Sequence, residues 1–209
     1  MLLIGFDAFG GASVNPSWLA VQALDGEECN GHKLVAAQLP TTFEGSPQVL
    51  ADLLKLHRPV LVICVGQAGG RSALSIERIA ININDARIAD NAGERPIDTP
   101  VVPGGPAAYF STLPIKAMLR ALEQAGVAAE VSQTAGTFVC NHVFYGLMHA
   151  LATQPGAKRT RGGFIHVPYV LDQGTPNMPL ADMVQGLRAA VACALTTLVD
   201  IAQSAGVIS

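Results

Sequence analysis

The sequence predicts an α/β fold: a single-domain α/β/α sandwich over residues 1–209, built around a mostly parallel central sheet. Apolar runs that fit buried strands alternate along the chain with amphipathic segments that fit helices, which is the order that parallel sheets require. The chain has 209 residues, of which 50% are hydrophobic and 14% are charged. That composition suffices for a large core and excludes a disordered chain.

In the first half of the chain, short apolar runs alternate with segments that open on a helix-capping pair. In chain order these are a strand at 2–6, a helix from 15 to about 24, a strand at 34–39, a helix from 46 to about 56, and a strand at 60–65. Both helices are expected to start at a polar capping residue followed by Pro, at Asn15 and at Ser46. A glycine-rich turn at 66–72 closes this half.

The second half continues the alternation after a long polar interruption. Residues 85–106 are rich in Asp, Asn, Gly and Pro and predict loops or a hairpin. The elements in this half are a strand at 76–83, a helix at 113–124 stopped by Gly126, a strand at 129–132, a helix at 140–151, a strand at 163–167 and a last helix at 179–202. The strand at 76–83 alternates, and Glu77 shares its odd-numbered face with three isoleucines.

Composition argues against nucleic acid and membranes as partners. The formal charge is −3, the pI is about 5.9, and no basic run exceeds Lys158 and Arg159 plus Arg161. The most apolar stretch, 189–199, is too short and too interrupted to span a bilayer, and the start lacks the basic region of a signal peptide. We therefore expect a cytoplasmic protein whose four cysteines are reduced and, without a CxxC pair, form neither a zinc site nor a disulfide framework.

The low charge also bears on assembly. A monomer with 14% charged residues has few polar groups with which to cover its surface, so the composition favours a self-association interface. The alternative is a chain that is simply rich in Ala and Gly.

Cys140 is the best candidate nucleophile. It follows a small-residue turn after the strand at 129–132 and stands at the start of a helix, in the run Thr134-Ala135-Gly136-Thr137-Phe138-Val139-Cys140-Asn141-His142. The helix dipole and free N–H groups there favour a thiolate, and the same N–H groups suit a developing oxyanion. The alternative is a buried, inert cysteine.

His166 is the best candidate base, and Glu77 the best candidate for orienting it. At about 100° per residue, His142 and His149 are turned roughly 180–200° away from Cys140 on their shared helix. His166 ends a buried strand, where active sites of open α/β sheets gather. Glu77 is an acid on an apolar strand and needs a partner. The alternatives are a satisfied core histidine and a structural salt bridge between Glu77 and a neighbour such as Arg87.

Two glycine-rich loops indicate a ligand pocket. Phe6 and Phe9 flank Asp7 on a loop placed directly after the first strand, although core packing would also explain them. The run 66–71 follows a strand and fits a phosphate cradle by its N–H groups, but it lacks both the GxGxxG and the GK[ST] patterns.

The chain resembles the pyroglutamyl-peptidase I family over nearly its whole length. Five blocks in the family's order carry the resemblance: Gly5-Phe6-Asp7-Ala8-Phe9-Gly10-Gly11 with Val14-Asn15-Pro16-Ser17, Val65-Gly66-Gln67-Ala68-Gly69-Gly70-Arg71, Glu77-Arg78-Ile79-Ala80-Ile81-Asn82, the run from Thr134 to His142, and Gly162-Gly163-Phe164-Ile165-His166-Val167-Pro168-Tyr169. The family usually has Pro at the position of Ala8. Its fold resembles the nucleoside-phosphorylase type of sandwich.

The resemblance implies a cytosolic cysteine peptidase that removes N-terminal pyroglutamate from peptides. It implies a triad of Cys140 as nucleophile, His166 as base and Glu77 as orienting acid, with no metal or organic cofactor, and a homotetramer. The pocket residues that it implies are Phe6, Phe9, Asn15, Thr41, Gln67, Arg87, Phe138 and Val139. Two alternative functions remain at this point: a nucleoside- or phosphate-binding enzyme that uses residues 66–71, and a non-catalytic protein that binds blocked N-termini.

Overall fold

The computed structural model describes residues 1–157 and 159–206 and has a six-stranded sheet at its centre. In chain order the elements are β1 (Leu2–Phe6), α1 (Pro16–Gln22), β2 (Glu28–Cys29), β3 (His32–Lys33), β4 (Val35–Leu39), α2 (Gly45–His57), β5 (Leu61–Gln67), β6 (Leu74–Glu77), β7 (Ile79–Ile81), β8 (Ala108–Phe110), α3 (Ile115–Gln124), β9 (Ala129–Ser132), α4 (Val139–Thr153), a 3-10 turn (Pro155–Ala157), β10 (Arg161–Val167) and α5 (Leu180–Thr196).

The central sheet has the strand order β4-β1-β5-β10-β6-β9. Every neighbouring pair is parallel except β10 and β6, so β6 and β9 run against the other four strands. The predicted mostly parallel sheet is confirmed. Two small antiparallel ribbons, β2–β3 and β7–β8, lie outside it.

Helices cover both faces of the sheet and enclose two apolar clusters. One face contributes Leu3, Ile63, Val65, Ile76 and Ile165 to a cluster shared with α1, α3 and α5. The opposite face contributes Leu2, Ile4, Val62, Cys64 and Phe164 to a cluster shared with α2 and α4. This three-layer arrangement confirms the predicted α/β/α sandwich. Among residues 1–157 and 159–206, no helix has the length and apolarity needed to cross a bilayer.

Local sequence signals account for several element boundaries. Asn15 accepts a hydrogen bond from Ser17 N at 3.0 Å as the N-cap of α1, with Pro16 next in the chain, as predicted. Gly126 follows α3 with φ 75°, a conformation that glycine adopts without a Cβ penalty. The second cap signal was misplaced, because α2 already begins at Gly45 and Ser46 lies inside its first turn with a buried hydroxyl.

Two predicted elements are wrong in extent. The strand predicted at 76–83 is divided at Arg78: Glu77 ends β6, and residues 79–81 leave the central sheet to pair with β8. The last helix ends at Thr196 rather than 202, because the segment beyond it caps a different helix. The Asp200 carboxylate accepts hydrogen bonds from Lys116 N at 3.1 Å and Ala117 N at 2.9 Å, at the start of α3.

Candidate active site

A carboxylate and an imidazole form a buried pair between β6 and β10. His166 Nδ1 donates to Glu77 Oε1 over 2.7 Å, and the two residues are 3% and 0% exposed. The register explains the meeting: Phe164 is the partner of Glu77 across the two strands, and His166 lies two residues further along the same sheet face. With Nδ1 bound to the carboxylate, the Nε2 atom of His166 is left to accept or donate a proton.

The thiol of Cys140 lies over the neighbouring strand on the same face. Cys140 is in the first turn of α4, and a Cβ added to Gly66 would lie 2.8 Å from its Sγ and 2.7 Å from Cζ of Phe164. Gly66 is the register partner of His166, and the rings of Phe164 and His166 are 4.8 Å apart. The fold therefore brings Cys140, His166 and Glu77 together at one sheet face, from segments that are far apart in the chain.

The first turn of α4 is anchored by the residue after the cysteine. The Asn141 side chain is fully buried, accepts from Ile81 N at 3.0 Å, and donates to the carbonyls of Ile81 at 2.9 Å and Ile83 at 3.0 Å. These three bonds tie the start of the helix to β7 and the chain beyond it. The N-cap residue Phe138 has extended backbone and no side-chain cap bond.

The protonation of the thiol differs from the expectation based on the helix dipole. Burial, with the charge of Glu77 as the second cause, raises the pKa of Cys140 to about 12, while the Arg71 guanidinium lowers it. The expected low-pKa thiolate is therefore wrong for the free protein, because loss of hydration outweighs the helix terminus. Burial also raises the pKa of Cys64 on β5 and of Cys193 on α5.

The other two histidines on or near this region bind elsewhere. His142 Nδ1 lies 2.9 Å from Asn84 Oδ1, and His149 Nδ1 lies 3.0 Å from the Tyr109 hydroxyl. Helix phase had placed both away from Cys140, and that prediction is confirmed. In the described part of the chain, no group of three or more His, Cys, Asp or Glu side chains is arranged to hold a metal ion.

Some of the predicted pocket residues line a cleft, and others do not. A cleft of about 570 Å³ is bordered by Phe9, Phe138 and Arg87, with the Phe9 and Phe138 rings 6.0 Å apart. Gln67 ends β5, and its Oε1 accepts a hydrogen bond from Gln173 Nε2 at 2.8 Å. The remaining members of the cleft border are Gly69, Asp85, Ile88, Gly136 and Thr137.

The other four predicted pocket residues serve the scaffold in this structure. Phe6 lies within β1 rather than on the following loop, 1% exposed, with its ring 6.2 Å from that of Phe164. Val139 is fully buried in the same cluster. Thr41 and Asn15 both donate to the carbonyl of Asp7, at 3.1 Å and 2.8 Å, and so hold the loop that carries Phe9.

Arg71 is the residue that sequence reasoning missed as a partner of the acid. The suggested salt bridge of Glu77 with Arg87 is wrong: Arg87 is exposed, whereas Arg71 Nη1 donates to Glu77 Oε1 at 2.7 Å. A spacing of six residues within one sequence block was the available signal. The glycine-rich run does not resemble a phosphate cradle in the structure, because Gly66 and Gln67 are in β5 and Ala68 N donates to Val167 O.

The fold and this set of side chains define the class of protein as a cysteine-type hydrolase. The family model described as pyroglutamyl peptidase matches residues 1–197, and the chain belongs to that family. The pyrrolidone-carboxylate peptidase of Cupriavidus necator is 57% identical over 211 residues, covering 99% of this chain and 97% of the relative. That of Bacillus cytotoxicus is 47% identical, with the same coverage.

Solved structures of the family share the fold. The crystal structure of pyroglutamyl peptidase I from Bacillus amyloliquefaciens superposes with a TM-score of 0.94 at 45% identity, over 97% of this chain and 98% of that one. A mutant pyrrolidone carboxyl peptidase from the hyperthermophile Pyrococcus furiosus gives 0.89 at 40% identity, over 93% of this chain and 97% of that one. The resemblance found in the sequence is confirmed.

Proposed function

We propose that this chain hydrolyses the amide bond that follows an N-terminal pyroglutamate, with Cys140 as nucleophile, His166 as base and acid, and Glu77 as the group that orients the imidazole. Family membership supports the reaction. The observation that carries the assignment of residues is the buried 2.7 Å contact of Glu77 with His166, on the sheet face that also holds the Cys140 thiol.

The reaction needs only these side chains and water. As Sγ attacks the pyroglutamyl carbonyl, the thiol proton moves to His166 Nε2, and this transfer removes the need for a resting thiolate. The carbonyl oxygen becomes an oxyanion, which the first N–H groups of α4 are placed to stabilise because they lack intrahelical acceptors. The C–N bond then breaks, and the amine leaves with the proton from Nε2.

Hydrolysis of the thioester regenerates the enzyme. His166 Nε2 takes a proton from water as the water oxygen attacks the acyl carbon. The C–S bond breaks, the sulfur regains its proton from Nε2, and pyroglutamate is released. Throughout the cycle, Glu77 keeps the hydrogen on Nδ1, so that Nε2 alone exchanges protons.

A neutral lactam suits the composition of the cleft. Pyroglutamate carries no ammonium group, because its amine is part of the ring, so its pocket needs no carboxylate to pair with a charge. Phe9 and Phe138 offer two rings at 6.0 Å for a flat ring to contact. We place the lactam there, with Gln67 and Arg87 as further polar contacts, and with Phe6, Val139, Asn15 and Thr41 as support for this wall.

We propose that the protein works in the cytoplasm as a homotetramer, as one peptidase domain over residues 1–209, without nucleic acid or membrane partners. The four cysteines are free thiols, and a thiol nucleophile requires the reducing conditions that the cytosol maintains. Exposed apolar side chains, Leu198 and Val199 among them at 78% and 84%, favour self-association.

The deciding experiment compares a pyroglutamyl and a prolyl coumarinyl amide as substrates. The prolyl ring is similar in size but is cationic and lacks the lactam oxygen, so we expect its kcat/KM to be at least roughly 10³-fold lower. Cys140→Ala should abolish release of the fluorophore, and the matched variant Cys193→Ala should retain it. Equal specificity constants for the two amides, or an active Cys140→Ala enzyme, would contradict the proposal.

A further inference from the structure

We propose that Arg71 is a positioning residue for this reaction: one guanidinium holds the Glu77 carboxylate against His166 and also holds the loop that leads to Cys140. The inference rests on the function proposed above. Arg71 Nη1 donates to Glu77 Oε1 at 2.7 Å, and Nη2 donates to the carbonyl of Thr134 at 3.1 Å. The Arg71 side chain is 26% exposed and reaches the fully buried carboxylate from the rim of the site.

The first role follows from the burial of Glu77. Its Oε1 accepts from both Arg71 and His166, while its Oε2 has no hydrogen-bond partner among the residues that the structure describes. A buried carboxylate without a cation favours its protonated form. A protonated Glu77 can donate to Nδ1 of His166, which moves the imidazole hydrogen to Nε2 and leaves no acceptor for the proton of Cys140.

The second role concerns the loop at 133–138, between β9 and α4. The Thr134 carbonyl accepts from Arg71 and from the Ser132 hydroxyl, the latter at 3.0 Å. Further along, Thr137 bonds to Asp85 through both its hydroxyl and its carbonyl, at 2.7 Å and 3.0 Å. Arg71 is thus the group that links the acid of the triad to the segment that positions the first N–H groups of α4.

Lysine cannot reproduce this arrangement. The guanidinium is a planar fork that makes two directed bonds to two different acceptors, whereas an ammonium is a point charge on a flexible stem. Arg71→Lys should therefore preserve the charge near Glu77 and lose the bond to Thr134. Arg71→Ala should lose both, and it leaves a partly exposed space into which free guanidinium can diffuse.

The test measures kcat, KM and the alkylation rate of Cys140 in wild type, Arg71→Ala and Arg71→Lys. Arg188→Ala is the matched control, because it removes another ion-paired arginine, bound to Glu27 at 2.7 Å on the surface. We expect Arg71→Ala to lose about 10- to 100-fold in kcat with KM within about twofold, a comparable loss in alkylation rate, and partial recovery of both in guanidinium chloride but not in sodium chloride. Arg71→Lys should fall between Arg71→Ala and wild type, and Arg188→Ala should match wild type.

Two results would overturn the proposal. One is a folded Arg71→Ala enzyme with wild-type kcat and alkylation rate; the other is a loss that follows its melting temperature and does not respond to guanidinium. If Arg71→Ala does not fold, Arg71→Lys decides by the same readouts. A wild-type enzyme that is inactive on pyroglutamyl amides would refute the proposed function instead, and the alkylation rates would still test the contact of Arg71 with the buried pair.

Discussion

Gly66 is the residue on which the geometry of the thiol depends most directly. Its backbone does not adopt positive φ, so the absence of a side chain there serves space rather than conformation. A Cβ at this position would lie 2.8 Å from Cys140 Sγ and 2.7 Å from Phe164 Cζ. Neither distance is compatible with ordinary packing. Strand β5 can therefore pass beneath the nucleophile only with glycine at this point.

We predict that Gly66→Ala loses most of its activity and about 1–3 kcal/mol of its free energy of unfolding, because the methyl group displaces Sγ or the Phe164 ring. Activity on a pyroglutamyl amide and denaturant unfolding would measure the two effects. Gly146→Ala is the control: it lies within α4 with nothing within 4 Å of an added Cβ, and Ala there should stabilise the helix by about 0.5–1 kcal/mol. An active Gly66→Ala enzyme of wild-type stability would show that the thiol does not rest on this strand.

Single residues differ in how far the sequence alone could place them. Glu77 was found because an acid on an apolar strand needs a partner, and His166 because it ends a parallel strand. Arg71 was missed, since nothing in a glycine-rich run states where a long flexible side chain will turn. Phe6 was assigned to a loop, although it is the last residue of β1, because the end of an apolar run does not define where strand pairing ends.

Elements were predictable where local signals decide them, and less so where a distant partner does. The alternation at 76–83 was read correctly as extended chain, but the change of partner at Arg78 depends on β8, some thirty residues away. The end of α5 depends on Asp200 capping α3, again a distant contact. The β2–β3 hairpin was missed despite a local signal: Asn30 and Gly31 have φ values of 47° and 75° at its turn, as an Asn-Gly hairpin requires.

The packing of α4 against the chain around Phe43 and Asn84 makes stability depend on pH. His142 is 9% exposed, its ring is 5.4 Å from that of Phe43, and burial lowers its pKa to about 4 from the ordinary 6.5. Between these two values the unfolded chain binds a proton that the folded protein does not, so stability must fall as pH falls from about 6.5 to about 4. The full loss is about 3 kcal/mol.

We predict that His142→Gln, which retains an amide donor for Asn84, is less sensitive to this change in pH than wild type. Urea unfolding of both proteins at pH values from 7 to 4 would measure it, and the titration of carboxylates cancels in the difference between them. Wild type should lose up to about 3 kcal/mol more than the variant over this range. Parallel stability curves for the two proteins would show that His142 takes up its proton equally well in the folded state.

At the scale of the whole molecule, the surface composition points to assembly. Only 14% of the residues are charged, and large apolar side chains are exposed at separate places: Ile97 at 66%, Phe110 at 67%, and Leu198 and Val199 at the end of α5 at 78% and 84%. Single exposed apolar residues are ordinary, but neighbouring ones on a surface this poor in charge are typical of an interface. Phe110 belongs to the β7–β8 ribbon, far along the chain from Leu198.

We predict that the protein is a homotetramer at micromolar concentration, with a mass by light scattering of about four times the 21.7 kDa of the chain. A closed tetramer built from dimers uses two kinds of interface, so two separate apolar areas are what such an assembly needs. Placing a charge in an interface leaves it buried without a partner, and Phe110→Asp or Leu198→Asp should therefore lower the measured mass. Leu56→Asp is the control, because Leu56 is 75% exposed on α2, apart from both areas. A stable 21.7 kDa monomer would refute the assembly, and a tetramer that both substitutions leave intact would place its interfaces on other surfaces.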